Sequence, residues 1–392
     1  MKDDTLMVHV ARESEQHSGV VNPPVYHAST ILYPTLEAFR QRGEGDTKYR
    51  SVRYGATGTP TTLALANAMA ELEGGAGTAI TATGLAAVTL AITAFVGQDD
   101  HILITDSAYA PTRHFCNTVL HRFGVSTTYY DPLIGAGIAD LIQSNTRLVL
   151  TESPGSLTFE VQDIPAIAAV AHAHEVLVLM DNTWGTPVFF KPFTHGVDIS
   201  IQAGTKYIAG HSDLVIGMIT ARTEALFHQV KDTTSAFGDL AGPDDCYQAL
   251  RGLRTMGVRL HHQQAAGLKI ANWFKSRPEV KRVLYPPLPD DPGHVLWKRD
   301  FTGACSLFGV VLHTESEKAV AQMVNAYRYF KIGASWGGYE SLVIPAYPAG
   351  VRTAAPWTET GFVLRYHVGL EDPDDLIADL EEGFERLHQA RG

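Results

Sequence analysis

From Thr59 onward, short apolar runs and helical stripes alternate along the chain. Thr59-Pro60 has the form of an N-cap and first-turn proline. Leu63, Ala66, Met69, Ala70 and Leu72 then line one helical face before Gly74-Gly75 stops it. Apolar runs follow at Thr78–Thr83, His101–Thr105, Ser126–Tyr130, Arg147–Thr151, Val176–Met180, Ile199–Ala203 and Val215–Thr220. Helical patterns at Leu85–Phe95, Pro111–Leu120 and Ile164–Ala173 lie between them. This alternation predicts an α/β fold, a mostly parallel sheet sandwiched by helices.

The flanks follow other patterns. Residues 1–58, broken by Pro23, Pro24 and Pro34 and polar over Arg40–Arg53, form an irregular arm expected to lie across a neighbouring subunit. A long helix is expected from Pro243 to about Lys275, bending near Gly257, and an irregular proline-rich stretch follows over 286–293. Strands at Leu307–Leu312 and Phe362–His367, with helices at Glu317–Tyr329 and Asp374–Leu387, suggest a smaller C-terminal α+β domain. The expected division is an arm at 1–58, a cofactor-binding domain at 59–255 and a C-terminal domain at 256–392.

Composition narrows the function. A formal net charge of −11 without any dense basic run argues against a nucleic-acid partner. The three scattered cysteines, Cys116, Cys246 and Cys305, fit a reducing compartment better than a disulfide framework. No apolar run is long enough to span a bilayer, and the N-terminus lacks the apolar core of a signal peptide. A cytoplasmic protein without membrane partners is expected.

Ligands of open α/β sheets bind beyond the carboxyl ends of the strands, and those ends carry a selected set of groups. Gly84 stands where a strand meets a helix, so its N–H and that of Leu85 are suited to a phosphate. Many such turns carry glycine for steric reasons alone. Tyr109 could cover a planar cofactor or simply pack on the sheet edge. Asp181 follows an apolar strand with no obvious helix after it, which favours a partner such as a protonated pyridine nitrogen. Lys206, after Gly204-Thr205, ends another apolar strand. A lysine placed there either reaches solvent or, desolvated, acts as an amine nucleophile toward an aldehyde. Each signal is modest, but each fits a different atom of pyridoxal 5′-phosphate (PLP): Gly84 and Thr205 the phosphate, Tyr109 the ring face, Asp181 the ring nitrogen and Lys206 the aldehyde carbon.

In this order, Gly84-Leu85-Ala86, Ala108-Tyr109, Asp181-Asn182-Thr183-Trp184 and Thr205-Lys206-Tyr207 resemble the cysteine/methionine-metabolism family of PLP enzymes. The similarity runs from about Tyr54 to the end, through Glu152-Ser153-Pro154-Gly155-Ser156, Arg251-Gly252-Leu253-Arg254 and Gly369-Leu370-Glu371-Asp372. Ser335-Trp336-Gly337-Gly338-Tyr339-Glu340-Ser341 points to its carbon–sulfur β-lyase branch. The resemblance implies PLP fold type I, an aspartate-aminotransferase-like arrangement, and a homotetramer whose paired subunits share active sites. It gives Lys206 and Tyr109 catalytic parts, with Lys206 carrying the cofactor and moving the α-proton. It has Arg365 hold the substrate α-carboxylate, flanked by Ser335 and Trp336, and has Tyr54 reach the cofactor phosphate and substrate of the neighbouring subunit. Taken alone, Arg365 could equally be a structural ion pair. Reactions at the γ-carbon, another amino-acid reaction, and a non-catalytic PLP-binding protein stay open as alternatives.

Two positions depart from the family pattern. Ala56 replaces the arginine of the family's Tyr-x-Arg intersubunit contact, and Ala334 stands where β-lyases of this kind often place a tyrosine. No metal site is expected: His172/His174 and His261/His262 lack a carboxylate or cysteine set at ligand spacing. The glycines at 135 and 137 do not open a strand–helix dinucleotide unit, which argues against a nicotinamide cofactor.

Overall fold

Seven strands make the larger of two sheets: β1 (Gly77–Thr81), β2 (His101–Thr105), β3 (Ser126–Tyr130), β4 (Thr146–Glu152), β5 (Leu177–Asp181), β6 (Ile199–Gln202) and β7 (Gly217–Ala221). The computed structural model describes residues 1–44 and 47–390. The strand order is β1-β7-β6-β5-β4-β2-β3. β2 to β6 pair in parallel, and β7 runs antiparallel to both of its neighbours. β1 therefore points the same way as β6, and the carboxyl ends of six strands open on one edge. Helices Pro60–Glu73, Gly84–Thr93 and Ile164–Ala173 cover this sheet. β1, β2, β6 and β7 are buried at every position, and polar side chains among them are paired, Thr78 with Thr220 and both Ser200 and Gln202 with Glu73.

The second sheet has the order β10-β11-β12-β9-β8, from β8 (Val280–Leu284), β9 (Leu307–Leu312), β10 (Lys331–Ile332), β11 (Leu342–Ala346) and β12 (Phe362–His367). The fold is thus the expected mostly parallel α/β sheet with a smaller α+β unit after it.

Three expectations need correction. The helical stretch after Pro243 is two helices, Pro243–Leu253 and Met256–Lys275, broken at Arg254-Thr255. There the Arg259 guanidinium donates to the Gly252 carbonyl at 2.8 Å and so takes over an acceptor at the end of the first helix. Gly257 lies inside the second helix, where an added Cβ would strike the side chains of Asp4 and Met7. The arm is not wholly irregular either. It carries helices Asp3–His9 and Leu36–Gln41, the first anchored by buried Met7 and by Arg254, which donates to the Met7 and Val10 carbonyls at 2.7 Å each. Finally, the helix expected over Glu317–Tyr329 ends at Asn325.

Candidate active site

The carboxyl ends of β1, β2, β4, β5 and β6 place Gly84, Tyr109, Glu152, Asp181 and Lys206 along one edge of the sheet. Glu152, Asp181 and Lys206 are each only partly buried by surface exposure, yet desolvation is the first cause acting on the ionisation of all three. Side chains deep in the protein that keep some exposure are walls of a cleft.

Gly84 opens the helix after β1, with Thr83 as N-cap accepting from Ala86 N at 2.9 Å. An added Cβ would come within 2.6 Å of the Ala203 Cβ, so this turn can lie against the end of β6 only with glycine at 84. The N–H groups of Gly84 and Leu85 stand at the positive end of the helix, where an anion is stabilised.

At the end of β5, Asp181 Oδ1 accepts from Thr183 N at 3.0 Å and from Thr183 Oγ1 at 2.5 Å. The same hydroxyl accepts from Ala203 N at 2.9 Å, tying β5 to β6. A short helix, Thr186–Phe189, does follow Asp181, contrary to the sequence reading, but Asp181 does not cap it. Burial raises the Asp181 carboxyl, while Thr183 and then Lys206 oppose the rise. Such a carboxylate lacks a full counter-charge, and a protonated ring nitrogen would supply one.

Lys206 follows β6, and its Nζ lies 2.5 Å from Ser335 Oγ and 5.3 Å from the centre of the Trp336 ring. Burial first, then the Arg365 charge, lowers its ammonium to about 8, against an opposing pull from Asp181. An amine so placed is a better nucleophile near neutral pH than a surface lysine. Arg365, on β12, donates from Nη2 to the Ser335 carbonyl at 2.9 Å and meets no carboxylate among the described residues. Burial lowers it to about 10. The structural ion pair that the sequence left open is absent, and the guanidinium remains available to an anion.

The Ser335–Gly338 loop rests directly on Lys206: a Cβ at Gly337 would come within 2.8 Å of the Lys206 carbonyl carbon. Gly337 N donates to His367 Nε2 at 3.1 Å, and Gln263 Nε2 donates to the Gly338 carbonyl at 2.9 Å. Burial first, then the neighbouring cations, lowers His367 to about 3, so it is a neutral acceptor.

The remaining expected residues are placed less directly. Tyr109 is half-exposed, with its N–H donated to Glu152 Oε2 at 2.7 Å. The Thr205 hydroxyl does not point freely toward a phosphate: it donates to the Ile216 carbonyl and accepts from Ile216 N, at 3.2 and 3.0 Å. Tyr54 is exposed; its carbonyl accepts from Thr57 N and Oγ1 at 2.9 Å each, and among the described residues no hydrogen bond or ring contact joins its side chain to the other expected site residues. Its turn is seated by Gly55, where a Cβ would overlap the Ala28 carbonyl. Ala56 and Ala334 are also exposed. Arg50, a candidate substitute for the missing arginine, is engaged by Glu224 at 2.5 Å and by the Ala76 carbonyl at 2.7 Å. Arg53 is turned inward, with a buried Nε.

Sequence reasoning passed over Glu152, Thr183 and His367. The strand-end rule that found Asp181 would also have found Glu152, one strand away. No group of three or more potential metal ligands occurs among the described residues.

A lysine with a lowered ammonium, a carboxylate short of counter-charge and a helix N-terminus on one sheet edge, with a guanidinium that meets no described carboxylate brought in by β12 of the second sheet, define a PLP-type α/β site. The chain belongs to the Cys/Met metabolism PLP-dependent enzyme family, whose pattern it matches over residues 4–385. It is 50% identical over 385 residues to a putative cystathionine beta-lyase of Rhizobium johnstonii, covering 97% of this chain and 95% of that one. It is 44% identical over 390 residues to a cystathionine beta-lyase of Salmonella typhimurium, covering 98% of each. Among solved structures, cystathionine gamma synthase of Xanthomonas oryzae pv. oryzae superposes with a TM-score of 0.90 at 31% identity, covering 100% of this chain and 99% of that one. The protein is a PLP-dependent enzyme of fold type I. No described helix is long and apolar enough to cross a membrane.

Proposed function

We propose that this enzyme is a carbon–sulfur β-lyase acting on cystathionine or another S-substituted L-cysteine, releasing a thiol, pyruvate and ammonia. The observation that carries this reading is the juxtaposition of Lys206, Ser335 and Arg365 around one point of the cleft. A carboxylate held by Arg365 brings its α-carbon beside the Lys206 amine, which then takes the α-proton. The relatives at 44–50% identity bear the name of the same reaction.

Bound PLP supplies the electron sink that makes the α-proton removable. In this reading Lys206 carries the cofactor, Gly84 and Leu85 hold its phosphate through their N–H groups, and Asp181 faces the ring nitrogen. Thr205 contributes through its backbone position. Tyr109 covers the ring and takes part in proton transfer, Ser335 steadies the Lys206 amine, and Trp336 bounds the substrate. Tyr54 serves the active site of a neighbouring subunit in a homotetramer. The exposed apolar residues Leu32, Leu36 and Phe39 fit an arm of 1–58 that is covered in such an assembly. In the same reading, domains divide at 58/59 and 255/256, with the second division falling beside the helix break. A reducing, cytoplasmic setting agrees with three free, buried cysteines.

Ala334 and the likeness to a γ-synthase structure favour one rival, chemistry at the γ-carbon. Keto-acid analysis separates the two. S-substituted cysteines should yield pyruvate with thiol in equal amounts, whereas 2-oxobutyrate from homocysteine thioethers as the main product would replace β- with γ-elimination.

A further inference from the structure

One carboxyl at this edge has no part in the reading above. Glu152 ends β4 in register with Asp181 on β5, so the two acids stand side by side at neighbouring strand ends. Its Oε2 accepts from Tyr109 N at 2.7 Å, and its carbonyl accepts from Gln162 Nε2 at 2.8 Å. Tyr109 precedes the helix Ala110–Phe115, which has no side-chain N-cap bond of its own. The Tyr109 carbonyl accepts from Thr112 N at 2.9 Å within that helix, and the Glu152 contact holds its N–H, the other end of the backbone from which the Tyr109 ring extends.

We propose that Glu152 is a positioning residue for Tyr109, holding the tyrosine over the cofactor by its backbone without placing a second negative charge beside Asp181. Neighbouring carboxylates in a desolvated site cannot both stay charged without cost. Asp181 is the better supplied of the two, with two donors from Thr183 and an opposite charge on Lys206. Glu152 has the single Tyr109 N–H, and among the described residues no lysine or arginine forms an ion pair with it. Burial first, and then Asp181, pushes its carboxyl well above the usual range, in agreement. Glu152 is then a neutral acid, and an amide of the same shape can replace it.

The inference rests on Tyr109 and Asp181 being cofactor contacts, so the test includes both acids. Glu152→Gln keeps the acceptor, and Glu152→Ala removes it. Glu152→Leu removes it while filling the space, should the alanine variant not fold. Asp181→Asn serves as the reference. The readouts are the PLP dissociation constant, the visible absorption band and its pH titration, and kcat and KM separately. Glu152→Gln should stay within about threefold of wild type with the titration of the band unmoved. Glu152→Ala or Glu152→Leu should lose about tenfold in kcat/KM, the effect of one hydrogen bond, and should shift that titration. A glutamine variant as impaired as alanine would overturn the proposal by showing that the charge matters. An unimpaired alanine or leucine variant would overturn it by showing that nothing is positioned. If Asp181→Asn leaves PLP affinity unchanged, the placement of the cofactor fails instead.

Discussion

Lys206 Nζ and Ser335 Oγ approach to 2.5 Å across 129 residues of sequence. Ser335 holds φ at +79°, a region that residues other than glycine rarely occupy. Arg365 on its carbonyl and the packing of Gly337 on Lys206 keep it there. The substrate anchor and the amine are therefore set by one loop. Disturbing either end of that loop should change catalysis before it changes the fold.

Arg365→Leu removes the free guanidinium and leaves the α-carboxylate unpaired. The expected loss is about 2–4 kcal/mol in transition-state binding, a fall of roughly 30- to 1000-fold in kcat/KM. PLP affinity should change little. Steady-state kinetics beside a PLP titration checks both, and wild-type kinetics would remove Arg365 from the substrate site.

Ala56→Arg restores a cation to the exposed turn after Tyr54. Arg50 is engaged by Glu224 and Arg53 is turned inward, so neither offers an obvious replacement. A phosphate dianion gains from a cation beside the helix N-terminus. The variant should therefore lose PLP more slowly on dialysis than wild type and bind it more tightly. Equal, tight dissociation constants would mean that another group already neutralises the phosphate.

Glu73→Gln tests a buried acid that braces the strand leading to Lys206. Glu73 Oε1 accepts from Ser200 Oγ at 2.7 Å and Gln202 Nε2 at 3.1 Å, both on β6. Oε2 makes no hydrogen bond of standard geometry, with the Thr220 hydroxyl close by. Burial raises this carboxyl, so the unfolded chain gives up its proton first as pH rises. Its contribution is then complete below the unfolded pKa, near 4.5, and is lost as pH rises toward the folded value. Glutamine mimics the protonated acid and titrates at no pH. The variant's Tm should exceed that of wild type at pH 8, with a smaller difference at pH 5. A difference that does not depend on pH would show Glu73 to be ionised in the folded protein.

β2, β9 and β12 were legible to the residue because strands buried in a sheet keep continuous β-forming runs, and β3, a largely unburied edge strand, because Thr127-Thr128-Tyr129-Tyr130 is β-forming throughout. β8 was missed because Lys281 and Arg282 interrupt it at a register shift, and β11 because Pro345 sits inside it. At the site, Lys206, Asp181 and Gly84 were legible because each stands at the end of a recognisable strand. Thr183 and His367 were not, since their importance lies in bonds to Ala203 and Gly337, contacts that no local pattern encodes. Thr205 shows the converse: its position was legible, but the turn of its hydroxyl toward Ile216 was not.

The central claim is that Lys206 carries the cofactor, and borohydride reduction followed by peptide mapping tests it most directly. Reduction fixes PLP covalently to whichever amine holds it. The modified peptide should contain Lys206, and Lys206→Ala should show no such label, no lysine-bound absorption band and no turnover. A label on another lysine in the wild-type protein, or an unchanged absorption band in Lys206→Ala, would contradict the account.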